Sequence, residues 1–99
     1  MSRNRQRGKD YERWLARDLE GRRVGLLGME DVVTNRFAIE CKEREKLPRF
    51  IHKCISQAKA NCPDDKLAIV ALHELNTSHD KDLIVMEYSV FRTITGSET

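Results

Sequence analysis

The sequence predicts an α/β fold in which one mixed sheet of about five strands is flanked by helices. Two observations support this class. Apolar residues recur at helical spacing in two segments, and apolar runs of strand length lie between and after those segments. The resulting order is α-β-β-β-α-β-β-α. Because 99 residues are too few to divide into several cores, a single domain is expected.

The first helix is expected from Lys9 to Arg22, and Gly21 marks its end. Five apolar positions define its buried side: Tyr11, Leu15 and Leu19, with Trp14 and Ala16 at the margins. Helical geometry places Glu12 close to Leu19 and Ala16 around the helix axis. A carboxylate is therefore expected at the edge of the buried stripe.

Three strands are expected between the first and second helices. The first is predicted at Val24–Leu27, with a break at Gly28. The next two form a hairpin around the turn signal at residues 34–36. A two-residue loop at 35–36 places Asp31 opposite Glu40. A four-residue loop keeps both acids on one face, whereas a three-residue loop separates them.

The second strand of this hairpin lies in RFAIECKER, residues 36–44. Because side chains alternate across a strand, one face carries Ala38, Glu40 and Lys42. The other face carries the three apolar residues: Phe37, Ile39 and Cys41. The ordinary explanation is a half-buried strand with its polar face in water. Two acids directly opposite each other are destabilising, however, so this pair favours a cation between them.

The second half predicts a helix, two strands and a closing helix. Pro48 is expected in the first turn of the second helix and Pro63 after its end. Six residues form the apolar side of that helix: Phe50, Ile51, Cys54, Ile55, Ala58 and Cys62. The apolar runs Leu67–Leu72 and Leu83–Met86 predict strands that helices cover on both faces of the sheet. The last helix is expected at Val90–Thr95.

The net charge of +2 is unevenly distributed along the chain. Residues 1–23 contain eight basic and four acidic residues, and the remainder contains ten and twelve. Residues 1–7 are expected to be a flexible basic arm that contacts phosphate backbones, ahead of one domain at 8–96. A solubilising tail is the alternative explanation of this arm.

The cysteines and histidines do not predict a zinc site. Cys41, Cys54 and Cys62 are odd in number, and no histidine has a ligand-like spacing to them. Reduced thiols are therefore expected. No apolar run is long enough to span a bilayer and no signal-peptide core is present, so a cytoplasmic protein is expected, in a prokaryotic cell or a phage-infected host.

Asp31 and Glu40, with Lys42 two residues further on, are typical of a site for a hard divalent ion such as Mg²⁺. Such an ion lowers the pKa of a bound water and neutralises charge on a phosphoryl oxygen. Lys42 then orients or deprotonates the water, or stabilises charge on the phosphate. The substrate class expected from this set is a phosphodiester.

This arrangement resembles the PD-(D/E)XK nuclease superfamily: Asp31 precedes Glu40-x-Lys42 on a hairpin, and Glu12 lies in the first helix. GKDYERWLARDL, residues 8–19, is similar to the opening of archaeal-type Holliday junction resolvases. The resemblance covers roughly residues 7–95. It implies a restriction-endonuclease-like sheet and a homodimer that cuts branched DNA. The absence of arginine and serine from 24–29 departs from the resolvases.

The resemblance also implies a role for each residue. Asp31, Glu40 and the backbone carbonyl of Cys41 bind Mg²⁺, for which Mn²⁺ substitutes, and Glu12 is a further acidic group. Lys42 and Gln57 complete the catalytic set. Five basic residues contact DNA: Arg3, Arg5, Arg7, Lys9 and Arg13. Simpler alternatives are that Glu12 pairs with a nearby arginine and that Gln57 is an ordinary helix-surface amide.

Three functions follow from these observations. The first is a junction-selective endonuclease, and the second is a related nuclease for nicked, flap or duplex DNA. The third is a non-catalytic nucleic-acid-binding protein that uses only the fold and the basic arm. The Asp31, Glu40 and Lys42 set favours the two nuclease functions over the third, but it does not separate those two from each other.

Overall fold

A computed structural model describes residues 3–24 and 31–96, with the backbone alone described at 3–7. The elements in chain order are α1 (Arg3–Asp18), β1 (Arg22–Arg23), β2 (Val32–Val33), β3 (Ala38–Ile39), α2 (Arg49–Ala60), β4 (Val70–Leu72), a 3-10 helix (His79–Lys81), β5 (Leu83–Val85) and α3 (Tyr88–Thr95). This order confirms the predicted succession of helices and strands. By contact the chain divides into two compact units, residues 1–45 with 96–99 and residues 46–95.

The predicted five-stranded sheet is wrong for the residues that the structure describes. β1, β2 and β3 form one antiparallel sheet, and β4 and β5 form a second antiparallel sheet. The strands are two or three residues long, shorter than is usual in a larger sheet. Each therefore offers few backbone hydrogen bonds with which to extend its sheet.

α1 starts six residues earlier than predicted, at Arg3, so the backbone of the predicted arm is helical from that residue onward. Its buried stripe comprises Leu15, Ala16 and Leu19, and Val32 of β2 is buried as well. Tyr11 and Trp14 stay more than one-third exposed. α1 packs on β1 and β2 through this stripe, which is why the helix is held against the hairpin.

The end of α1 is a Schellman motif in which the left-handed residue is Glu20, at φ 57°. The Gly21 amide donates to Ala16 O at 2.7 Å, and the Glu20 amide donates to Arg17 O at 3.3 Å. Gly21 meets a different requirement, because a Cβ there would lie 2.4 Å from Val33 O. The glycine therefore allows α1 to end directly against β2.

The hairpin has the register predicted for a two-residue loop. Val33 pairs with Ala38 and Val32 with Ile39, and the Thr34 amide donates to Phe37 O at 2.9 Å. The first strand is found at Arg22–Arg23, just before its predicted range. Val24 lies outside that strand but donates to Asp31 O at 3.0 Å. The rest of the predicted strand and the break at Gly28 lie outside the described residues.

The second unit has a thin apolar interior. α2 packs on β4, with Ile51, Cys54, Ile55 and Ala58 half-buried as its predicted apolar side. Pro48 is the N-cap of α2 rather than part of its first turn. The predicted burial of the two apolar runs is wrong. Four of their large apolar residues are exposed: Leu67, Ile69, Leu83 and Ile84.

None of the helices in the described parts of the chain combines the length and apolarity needed to cross a membrane.

Candidate active site

Asp31 lies across the hairpin from Glu40. Its backbone amide donates to Ile39 O at 2.9 Å, and its carboxylate Oδ2 accepts a hydrogen bond from the Cys41 amide at 2.8 Å. Asp31 therefore contacts the residue before Glu40 and the residue after it. The two-residue loop is what brings these acids together, because the same register pairs Val32 with Ile39.

Alternate side chains are exposed along residues 37–42, as predicted for a half-buried strand. Ala38, Glu40 and Lys42 are exposed, and the intervening apolar residues are half-buried. Lys42 Nζ lies 3.5 Å from Glu40 Oε2, and both side chains are more than half exposed. An ion pair this open to water contributes less than about 1 kcal/mol, so it leaves both groups available to other partners.

The carboxylate of Glu12, on α1, is held in place by an arginine of β1. Arg23 Nη2 and Nε donate to Glu12 Oε1 at 3.1 and 3.2 Å. Only 18% of the Glu12 side chain is exposed, which agrees with its expected place at the edge of the buried stripe. One carboxylate oxygen thus receives both hydrogen bonds.

Three carboxylates lie close enough to Cys41 to act on its thiol, but their oxygens are not gathered within 4.8 Å of one another. Burial, followed by the negative charges of Asp31, Glu12 and Glu40, raises the pKa of the Cys41 thiol to about 11. These acids come from a helix, the residue before β2 and the residue after β3, so their shared influence requires the packing of α1 on the hairpin. We refer to Glu12, Asp31 and Glu40 as the carboxylate cluster.

The donor chemistry of the carboxylate cluster suits a hard divalent ion. Carboxylate and carbonyl oxygens are ligands that Mg²⁺ accepts, usually with several waters retained. The predicted ligands Asp31, Glu40 and Cys41 O belong to adjacent positions of the hairpin, and Glu12 approaches from α1. A thiol with its pKa near 11 is protonated at neutral pH and does not add a soft thiolate to this set.

The remaining predicted site residues lie elsewhere on α1 and on α2. Gln57 is an exposed residue of α2 in the second unit, in keeping with the alternative of a helix-surface amide. Arg13 pairs with Asp10 at 3.1 Å on the exposed side of α1, and Lys9 is half-buried on the same helix. The side chains of the three arm arginines lie outside the described residues.

Two features were missed by the sequence interpretation. The sequence places Arg23 among the basic residues of 1–23. It allows Glu12 to pair with a nearby arginine but does not identify Arg23 as that partner. Among the described residues, the group of three metal-ligating side chains whose ligand atoms all lie within 4.8 Å of one another is found around the β4–β5 loop: His73, His79 and Asp82. The spacing between histidines and cysteines does not reveal this group; its sequence signal is an aspartate close to two histidines in a strand-loop-strand segment.

Comparison with known proteins gives no match to a family model, to a curated protein or to a solved structure. The resemblance to nucleases therefore rests on these residues and their arrangement.

Proposed function

We propose that this protein is a metal-dependent DNA endonuclease whose active site is the carboxylate cluster with Lys42. The observation that carries the proposal is the hairpin register that sets Asp31 beside Glu40, together with the Asp31–Cys41 hydrogen bond of 2.8 Å; Glu12 adds a third negative charge that acts on Cys41. Acids that act on the same thiol also repel one another, and a cation bound between Asp31 and Glu40 would relieve that repulsion. The proposal depends on this site and not on a five-stranded sheet.

Mg²⁺ or Mn²⁺ would be held by Asp31, Glu40 and Cys41 O, with Glu12 as a further ligand directly or through water. The ion supplies an activated water and charge neutralisation at the phosphate. Lys42, beside Glu40, orients that water, takes its proton or stabilises charge on the phosphate. Arg23 fixes the orientation of Glu12 through two hydrogen bonds to one oxygen.

The preferred substrate is a four-way DNA junction cut by a homodimer, and the protein would act in the cytoplasm of a prokaryotic cell or phage-infected host. The eight basic residues of 1–23, five of which are the predicted DNA contacts, supply attraction for phosphate backbones. A two-fold enzyme also matches a two-fold junction. The alternative is a nuclease for nicked, flap or duplex DNA, which uses the same residues.

Exposed apolar residues of the second unit favour the presence of a partner subunit. Leu83 and Ile84 are neighbours on β5, so they point to opposite faces of the two-stranded sheet, yet both are more than half exposed. Phe50 of α2 is 60% exposed. Sedimentation at several protein concentrations tests the stoichiometry. A mass of one chain at every concentration would overturn the homodimer.

The test of activity compares labelled four-way junctions with linear duplexes of the same arm sequences, in Mg²⁺, Mn²⁺ or EDTA. We expect metal-dependent cleavage of the junction that Asp31→Asn and Glu40→Gln each reduce by about a hundredfold or more. The Asp31→Asn side chain retains an oxygen that can accept the hydrogen bond from the Cys41 amide, but it carries no charge. Glu45→Gln, an exposed acid of the same segment, is the matched control and should cut normally.

The possible results distinguish the candidate functions. Equal cutting of junction and duplex would retain the chemistry and remove the junction preference. DNA binding without cleavage in any metal would overturn the nuclease proposal and favour the non-catalytic function. Circular dichroism of each variant separates loss of activity from loss of folding.

A further inference from the structure

The β4–β5 loop brings together two imidazoles and a carboxylate. His73 Nδ1 lies 2.6 Å from Asp82 Oδ1, and His79 Nδ1 lies 3.2 Å from Asp82 Oδ2. The two imidazole rings are 4.3 Å apart between centroids. All three ligand atoms lie within 4.8 Å of one another. We call these three residues the His–Asp cluster.

The local backbone explains why these residues meet. Leu72 and Leu83 are the last pair of the β4–β5 ladder, so His73 and Asp82 are the next residues of the two strands and lie opposite each other. His79 begins the 3-10 helix and is three residues before Asp82, a separation that returns it to the same side of that turn. The cluster is therefore built from one strand pair and one helical turn.

Hydrogen bonds within the loop hold that arrangement. The Thr77 amide and hydroxyl both donate to Glu74 O, at 3.3 and 2.7 Å. The Lys81 amide donates to Ser78 O at 3.0 Å, and the Asp82 amide donates to His79 O at 3.1 Å. Ligands that the fold already positions lose less entropy when an ion binds.

We propose that the His–Asp cluster binds a divalent transition-metal ion of the zinc class. Two imidazole nitrogens and one carboxylate oxygen are a ligand set that Zn²⁺ uses when a further position is left to water. Bonds of about 2.0–2.2 Å to such an ion place its ligand atoms roughly 3.4 Å apart, which small side-chain movements reach from the observed distances. Nitrogen donors favour this class over Mg²⁺, which prefers oxygen.

The His–Asp cluster is open to solvent. His79 is 83% exposed, and His73 also lines an open depression on the loop. Asp82, the least exposed ligand at 25%, lies between the two histidines. The ion would therefore link the two ends of the β4–β5 loop while a water ligand stays in contact with solvent. Its binding should stabilise the second unit.

This site is independent of the proposed nuclease site. Its ligands belong to residues 46–95, whereas the carboxylate cluster belongs to residues 1–45. None of the three ligands is among the residues predicted to cleave DNA. Binding of Zn²⁺ is consequently measured without DNA, and failure of either proposal leaves the other untouched.

Zn²⁺ binding to the whole chain is measured by calorimetry, and Co²⁺ is used as a visible probe. We expect a Zn²⁺ site whose affinity falls at least about a hundredfold in His79→Ala and in Asp82→Asn, and is unchanged in Asp31→Asn. His52→Ala is the matched control, because His52 is the remaining histidine and is exposed on α2. That variant should bind as the unaltered protein does. Thiolate charge-transfer bands with Co²⁺ would instead assign the ion to cysteines.

A second measurement requires no substitution. In ¹⁵N–¹H spectra of the histidine side chains, Zn²⁺ should shift the signals of His73 and His79 and leave those of His52 unchanged. Equal shifts at all three histidines, or affinity unchanged in both ligand variants, would overturn the proposal. Absence of Zn²⁺ binding below millimolar concentration would overturn it as well and leave Asp82 as a hydrogen-bond partner of two imidazoles.

Discussion

Arg23 donates two hydrogen bonds to a single carboxylate oxygen of Glu12, at 3.1 and 3.2 Å, and so joins β1 to α1. The two side chains are 30% and 18% exposed, which limits the screening of this ion pair by water. The pair therefore contributes to packing of the helix on the sheet as well as to the position of a proposed active-site acid.

Replacement of Arg23 by methionine should destabilise the protein by about 2 kcal/mol, because a largely buried carboxylate loses its charged donors. Methionine retains much of the side-chain volume. Urea unfolding measures the effect, and Arg13→Met is the control because its partner Asp10 is 62% exposed. Loss of that exposed pair should cost less than about 1 kcal/mol. Equal losses in the two variants would mean that Glu12 does not depend on Arg23.

Replacement of Glu20 by glycine should stabilise the protein by about 1 kcal/mol. Glu20 adopts φ 57°, a left-handed conformation that costs a residue with a Cβ roughly 1–2 kcal/mol. Glycine avoids that cost, although it also makes the unfolded chain more flexible. Thermal and urea unfolding measure the gain. Glu20→Ala is the comparison, because it removes the same side chain and retains the Cβ; equal stability of the two variants would contradict the conformational argument.

Replacement of Gly21 by alanine should destabilise the protein by roughly 1–3 kcal/mol, in the range of overpacking substitutions. The added Cβ would lie 2.4 Å from Val33 O, and a backbone carbonyl cannot move aside as a flexible side chain does. Gly8→Ala is the internal control, since nothing lies within 4 Å of its Cβ position. In the middle of α1 that change should instead stabilise by about 1 kcal/mol. The same sign for both substitutions would contradict this assignment.

Helical spacing and strand alternation in the sequence predicted the features that depend on residues close together in the chain. The apolar spacing of α1 identified the buried positions Leu15 and Leu19, and the two-residue loop identified the Val32–Ile39 pairing. That pairing was sufficient to place Asp31 opposite Glu40. These features depend on helix periodicity and strand alternation, which residue order expresses directly.

The features that depend on distant packing were not predictable in the same way. The apolar run Leu67–Leu72 indicates a strand but not its neighbour, and in the structure β4 pairs only with β5 among the described strands. Several arginines were available to Glu12, and the choice of Arg23 depends on where β1 docks. The His–Asp cluster likewise depends on the position of Asp82 across a loop from His73.

The rate of Cys41 alkylation tests the effect of the three carboxylates on the pKa of this thiol. Burial and then Asp31, Glu12 and Glu40 raise the pKa of this thiol to about 11, so it stays protonated until the pH approaches that value. At pH 8 only about one thiol in a thousand is then ionised. In a Cys54→Ser, Cys62→Ser background with EDTA, the rate of reaction with iodoacetamide should rise steeply up to about pH 11.

Asp31→Asn in that background should lower the pKa of Cys41 and speed alkylation at pH 8, because it removes a nearby negative charge. Asp64→Asn, at an exposed position of the second unit, should leave the rate unchanged. A reaction rate that is insensitive to Asp31→Asn would mean that the Asp31 carboxylate does not act on the Cys41 thiol.

The salt dependence of DNA binding tests the basic start of α1. Replacement of Arg3, Arg5 and Arg7 by glutamine preserves helix propensity and removes three charges, so the slope of log affinity against log salt should decrease by up to about three. Binding to a duplex is measured in EDTA to prevent cleavage. The control replaces three exposed basic residues elsewhere: Arg44, Lys46 and Arg49. An unchanged slope in the first variant would identify the segment as a solubilising tail, and equal decreases in both would mean that total charge, rather than its position, governs binding.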